Sequence, residues 1–129
     1  MRDNWAQLEL APDWMLYQEP GDEEAGYEYP CDVGRIDLLA KHRSKPSWLV
    51  IELKRNQTGD QTVGQLLRYM GWVEQHLAEE GDHVCGMIVC RQADNAIGYA
   101  VSALKNVELR LYEVSFRLTS CDRLESIKQ

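Results

Sequence analysis

The segment GRIDLLAKHRSKPSWLVIELK, residues 34–54, decides the fold. Residues 34–40 and 48–53 are two apolar runs of strand length, and the polar stretch 42–47 between them suits a hairpin connection. The order Trp48-Leu-Val-Ile51 favours a strand, because aromatic and β-branched side chains pack well on a pleated surface. If residues 43–46 make the connection symmetrically, Asp37 faces Glu52, Arg35 faces Lys54 and Leu39 faces Val50. All six then share one face, since alternate residues of a strand do. Ile36, Leu38, Ile51 and Leu53 form the opposite face, which reads as core.

Two carboxylates directly opposed across a hairpin have Cβ atoms about 4.5–5.5 Å apart, and like charges so placed repel. A shared divalent cation relieves that repulsion, and hard oxygen ligands suit Mg²⁺ or Mn²⁺. Lys54, two residues beyond Glu52, falls beside such a cation. Metal, water and ammonium together fit phosphodiester hydrolysis: the metal makes hydroxide available and the cations neutralise developing charge. On spacing alone, a cross-strand surface salt-bridge cluster of Arg35, Asp37, Glu52 and Lys54 accounts for the pattern equally well.

Outward from the hairpin, a short strand is expected at residues 27–29, stopped by Pro30. A long amphipathic helix follows the hairpin. Thr58 and Gln61 match a capping box, Gly81 suits the C-terminal stop, and Val63, Leu66, Leu67, Met70, Val73 and Leu77 make one apolar stripe. Gln65, Arg68, Tyr69, Trp72 and His76 lie off its centre. Residues 84–89 read as a buried strand, and residues 94–104 as a helix with Asp94 as N-cap. Residues 107–118 read as extended, with a parity switch near Tyr112-Glu113 that calls for a bulge or break. The order β-β-β-α-β-α-β describes an α/β domain, a mixed sheet flanked by helices.

The 129 residues suit a single domain, with residues 1–26 as an acidic N-terminal leader and a core of about 27–118. The formal net charge of −7 is unevenly spread. Residues 1–32 carry nine acids and one Arg, whereas residues 33–57 carry six bases and two acids. The acidity thus belongs to one end, and the basic hairpin beside it keeps a nucleic-acid partner open. Four cysteines without a C-x-x-C pair and three scattered histidines argue against zinc and for reduced thiols in a cytoplasmic protein. No apolar run reaches the roughly 18 residues of a membrane span, and the first residues lack a signal-peptide pattern.

Three ordered motifs sharpen this reading: Gly34-Arg-Ile-Asp-Leu-Leu-Ala40, Trp48-Leu-Val-Ile-Glu-Leu-Lys-Arg55 and Val63-Gly-Gln-Leu-Leu-Arg-Tyr-Met-Gly-Trp72. Together they resemble the PD-(D/E)xK nuclease superfamily, and more narrowly the C-terminal nuclease domain of the NucS/EndoMS endonucleases. The likeness runs from about Glu28 to Leu118. It implies a restriction-endonuclease-like core and metal-dependent DNA cleavage. It also implies Asp37 and Glu52 as metal ligands, the Leu53 carbonyl as a third, and Lys54 as the catalytic lysine. Gln65 and Tyr69 match the Gln-x-x-x-Tyr helix motif that borders the active site in related nucleases. Ile36-Asp37 stands where the superfamily often reads Pro-Asp.

NucS enzymes carry a separate N-terminal domain for DNA binding and dimerisation, and only about 27 residues precede the nuclease region here. Weak DNA affinity from this chain alone is therefore expected, with a homodimer or a separate DNA-binding partner to supply the grip. The DNA itself is duplex, branched or single-stranded. Arg35, Arg55 and Arg68 are the candidate phosphate contacts, and Trp72 is either a base contact or a packing residue. Glu28 is either a further carboxylate or an edge-strand surface residue, and His42 is a surface residue of the connection. Two other classes stay open: a nucleic-acid-binding module with little turnover, and a protein-interaction subunit.

Overall fold

The computed structural model describes residues 4–54, 59–113 and 118–120. Its centre is a six-stranded mixed sheet. The strands are β1 (Trp14–Leu16), β2 (Tyr27–Cys31), β3 (Gly34–His42), β4 (Ser47–Lys54), β5 (His83–Cys90) and β6 (Val107–Leu111). They run in the order β1-β3-β4-β5-β6, and β2 also pairs with β3. Pairs β1–β3, β2–β3 and β3–β4 are antiparallel, whereas β4–β5 and β5–β6 are parallel. Helix α1 (Asp60–His76) links β4 to β5, and α2 (Asn95–Ser102) links β5 to β6. These are the connections parallel strands require. Among the described residues no helix is long and apolar enough to cross a membrane.

The hairpin has the register that a symmetric connection predicts: Leu38 opposite Ile51, Leu39 opposite Val50, Ala40 opposite Leu49 and Lys41 opposite Trp48. Both sheet faces are covered, which is why β4 and β5 read as nearly continuous apolar runs. Leu39, Val50 and Ile88 pack against Val63, Leu66, Tyr69, Met70 and Val73 of α1 and Ile97 and Val101 of α2. Leu38, Ala40, Leu49, Ile51, Met87 and Val89 pack on the other face with Trp5 and Ala11. Both helices therefore lie on one face, and the first residues, including a 3₁₀ turn at Trp5–Gln7, cover the other. The sheet also begins earlier than residue 27, because β1 pairs with residues 40–42 of β3.

The expected sorting of side chains fails at one step. Ile36 packs on the helix face and Leu38 on the opposite face, although they are two residues apart. Their partners on β2, Tyr29 and Tyr27, divide the same way. Between them stand Asp37 and, across the ladder, Glu28, whose φ of +51° is unusual for a residue with a side chain. Strands β2 and β3 thus swap faces together, and Asp37 sits at the swap.

Helix α1 departs from expectation at three points. Its N-cap is Gly59, with no side-chain hydrogen bond, while Thr58 of the expected capping box lies outside the described residues. It ends at His76, short of Gly81. There Asp82 accepts the Glu79 N–H (2.9 Å) and the Trp48 indole N–H (3.1 Å), tying the turn down before β5. Leu67 of the expected stripe is 39% exposed, whereas Tyr69 is 1% exposed. The buried arc is rotated towards Tyr69, whose ring packs against Gly34 (below). Asp94 caps α2 as expected, accepting the Ile97 N–H at 2.9 Å. The expected extended stretch 107–118 is strand only as far as Leu111, and its residues 114–117 lie outside the described ones.

Gly86 of β5 lets α1 approach the sheet. A Cβ there would stand 2.5 Å from Met70 Sδ and 3.0 Å from Leu66 Cδ2. Gly86→Val is expected to force α1 off the sheet, at a cost of about 1–3 kcal/mol. In a thermal unfolding scan this should lower the melting temperature by roughly 3–15 °C, whereas Gly71→Ala, with nothing within 4 Å, should not.

Candidate active site

Asp37 and Glu52 meet where the β3–β4 ladder ends. Backbone pairing runs out at Leu38–Ile51, and the next N–H available on β4, that of Leu53, is donated to Asp37 Oδ2 at 2.8 Å. A charged acceptor on a backbone donor makes a strong bond, and it fixes the Asp37 carboxylate over β4. Glu52 is 3% exposed, and its carboxyl lies close enough to Asp37 for the two to interact. Lys54 Nζ lies 4.0 Å from Glu52 Oε1, and the other carboxylate oxygen, Oε2, is buried with no hydrogen-bond partner.

Such a carboxylate resists ionisation. Burial pushes the Glu52 pKa up to about 8, helped by the neighbouring Asp37 carboxylate, which favours a proton held on Glu52, and opposed by Lys54. The corner therefore keeps a proton that a divalent cation would displace. Two carboxylates and one unpartnered buried oxygen fit a hard cation. No group of three His, Cys, Asp or Glu side chains gathers among the described residues. Remaining ligands would thus be backbone carbonyl, water or substrate phosphate, the usual company of Mg²⁺.

Gln65 and Tyr69 come together one helical turn apart: Gln65 Nε2 donates to the Tyr69 hydroxyl at 2.7 Å. The same hydroxyl accepts the backbone N–H of Arg35 at 3.2 Å. Tyr69 is therefore a buried link between α1 and the start of β3, not a side chain presented to solvent. Gly34 makes room for it. Its φ is +137°, and a Cβ there would lie 2.6 Å from the hydroxyl. Sequence reasoning passed over Gly34, although a glycine opening a strand in front of the acidic motif is the signal that could have found it.

The arginines are dispersed. The β3–β4 pairing that would set Arg35 opposite Lys54 stops at Leu38–Ile51. Arg35 instead lies 3.9 Å from Glu28, both well exposed. Arg68 is exposed on α1, and Arg55 lies outside the described residues. Glu28, across from Asp37 in the ladder, points its carboxylate to Arg35. Trp72 is a packing residue, against Tyr29 at 5.9 Å and stacked with His76 at 4.6 Å. His42 holds the hairpin connection, its Nδ1 accepting the N–H groups of Ser44 and Lys45. Cys90 is buried and Cys85 half-buried, as packing residues would be.

Comparison with known proteins gives a consistent picture. Residues 15–120 match the model of the family described as the endonuclease NucS C-terminal domain. Endonuclease NucS of Methanopyrus kandleri is 32% identical over 99 residues, 71% of this chain and 36% of that protein. The NucS of Methanocaldococcus jannaschii is 32% identical over 80 residues, 58% of this chain and 29% of that protein. The chain thus spans about a third of the length of the relatives it matches. A repair endonuclease from Pyrococcus abyssi superposes with a TM-score of 0.61 at 19% identity, over 88% of this chain and 47% of that one. The structure of an EndoMS–dsDNA complex gives 0.63 at 20% identity, over 89% and 42%. Both confirm the restriction-endonuclease-like α/β fold.

The raised pKa of Glu52 has a signed consequence for stability. Because the folded chain holds this proton more tightly than the unfolded chain, the contribution is full below the ordinary carboxylate pKa and is lost as pH rises through about 8. In chelator-treated protein the melting temperature should fall between about pH 5 and pH 9. Glu52→Gln, which cannot ionise, should flatten that fall and melt several degrees higher at the alkaline end. An equal pH slope in both proteins would contradict it.

Proposed function

The chain belongs to the family of the endonuclease NucS C-terminal domain, and on that premise we propose that it is a DNA endonuclease hydrolysing phosphodiester bonds with Mg²⁺ or Mn²⁺. One observation carries the reading: a buried Glu52 with an unpartnered carboxylate oxygen, beside the half-buried Asp37 carboxylate and an ammonium on its own strand. A surface salt-bridge cluster would leave these groups solvated, whereas Glu52 is buried.

When bound, the metal would lower the pKa of its water and offset charge on the phosphate. Asp37 and Glu52 would hold it, with the Leu53 carbonyl as the third protein donor. Asp37 is pre-oriented by the Leu53 N–H, so little rearrangement precedes binding. Lys54 would orient the attacking water and stabilise the negative charge that grows on the phosphoryl oxygens. Its attachment next to Leu53 fixes it relative to both carboxylates. Arg35, exposed two residues before Asp37, is the candidate phosphate contact, in exchange for its pairing with Glu28. Arg68 would reach the DNA backbone further along α1.

The test is a cleavage panel with Mn²⁺ on duplex, flapped, mismatched and single-stranded DNA. Wild type should nick or cut at least one substrate, Asp37→Ala should reduce cleavage to background, and Lys54→Ala should slow it about 10²–10³-fold. Equal rates in wild type and both variants would rule out this mechanism. DNA binding without cleavage in any metal would instead support a binding module.

A further inference from the structure

The first residues of β3 lie beyond the β3–β4 ladder, which starts at Leu38. On the β2 side, Arg35 faces Pro30, which has no N–H to give. Beyond its pairing with β2 at Gly34–Cys31 and Ile36–Tyr29, two bonds from elsewhere hold this stretch: Leu53 N–H to Asp37 Oδ2, and Arg35 N–H to the Tyr69 hydroxyl. Asp37 thus stands two residues from a backbone group whose position is set by α1. The Tyr69 oxygen already accepts from Arg35 and Gln65, which uses its two lone pairs, and the side chain is 1% exposed. At that exposure it does not reach out to DNA.

We infer that the Tyr69 hydroxyl, seated over Gly34 and accepting the Arg35 amide, sets the position of Asp37, so that Gly34 and Tyr69 are positioning residues for the acid pair. This rests on the reading of Asp37 and Glu52 as cation ligands. Gly34 is required twice over. Its φ of +137° disfavours any side chain, and the space a Cβ would take is filled by the hydroxyl 2.6 Å away. Gln65 acts one step further back by fixing the Tyr69 ring. A displacement of about 1 Å in such a group is worth about 10²-fold in rate, so a bond remote from substrate can matter as much as a direct contact.

The decisive variant is Tyr69→Phe, which keeps the ring and removes the acceptor. Three quantities are measured: hydrogen exchange of the Arg35 amide, Mn²⁺ affinity by paramagnetic titration without DNA, and the split between kcat and KM for cleavage. The expected result is faster Arg35 exchange, Mn²⁺ affinity weakened about tenfold, and kcat reduced with KM for DNA unchanged and partly restored by excess Mn²⁺. Unchanged Mn²⁺ affinity and Arg35 exchange would overturn the inference. So would a raised KM with metal affinity intact, which would place Tyr69 on the substrate. Gly34→Ala guards against misfolding as the explanation. If its methyl group acts by displacing the hydroxyl, its loss of Mn²⁺ affinity and that of Tyr69→Phe should be less than additive in the double variant; full additivity would count against it. Should wild type bind Mn²⁺ but cut no DNA, the nuclease reading fails, while the affinity shift still decides the positioning role.

Discussion

Asp37, half-buried, and Glu52, buried, are two carboxyl groups brought together where a sheet ladder stops, and burial of one of them makes a second negative charge there costly. Everything notable nearby answers to that constraint. The Leu53 N–H is turned from the ladder to Asp37, Lys54 lies 4.0 Å from Glu52, and a proton is held well into the alkaline range. Even so, one Glu52 oxygen is left buried without a partner. Unsatisfied buried polar atoms are rare in native proteins because they destabilise the fold, and this one lies among oxygen donors that would suit a divalent cation.

The rest of the fold holds the corner in place. Strand β4 is flanked by β3 and β5 and covered on both faces, so Glu52 and Lys54 sit on a central, constrained strand of the sheet. Strand β3 is the weaker partner, since it swaps faces at Asp37 and loses its ladder there. Helix α1 makes up for that loss through Tyr69, and the close approach allowed by Gly86 holds α1 against the sheet. A helix and two glycines thus bear on the geometry of a carboxylate that none of them touches in the chain's linear order.

Much of this was legible in the sequence, because the hairpin residues obey local rules. The symmetric connection gave the register of β3 and β4, and that register carries Asp37 and Glu52 to the end of the ladder, one step past Leu38 and Ile51. Asp94 announced its own helix. The errors have a common physical source, which is tertiary packing. Strict alternation placed Ile36 with Leu38, but the break at Glu28 and Asp37 is a property of two strands together. Helical periodicity buried Leu67 and left Tyr69 to one side, whereas the space over Gly34 draws Tyr69 inward. The pairing of Arg35 with Glu28 instead of with the hairpin's carboxylates follows from the same break. The leader's acidity concealed Trp5, Ala11 and β1, whose packing on the far face no charge count reveals.

If this carboxylate pair is a cation site, crystals of the wild-type chain soaked in Mn²⁺ should show one anomalous-difference peak between the Asp37 and Glu52 carboxylates, within bonding distance of both. The proton held on Glu52 should be displaced and Glu52 Oε2 should become a ligand. A well-ordered corner with no peak there, or with Glu52 Oε2 still unliganded at saturating Mn²⁺, would contradict the account.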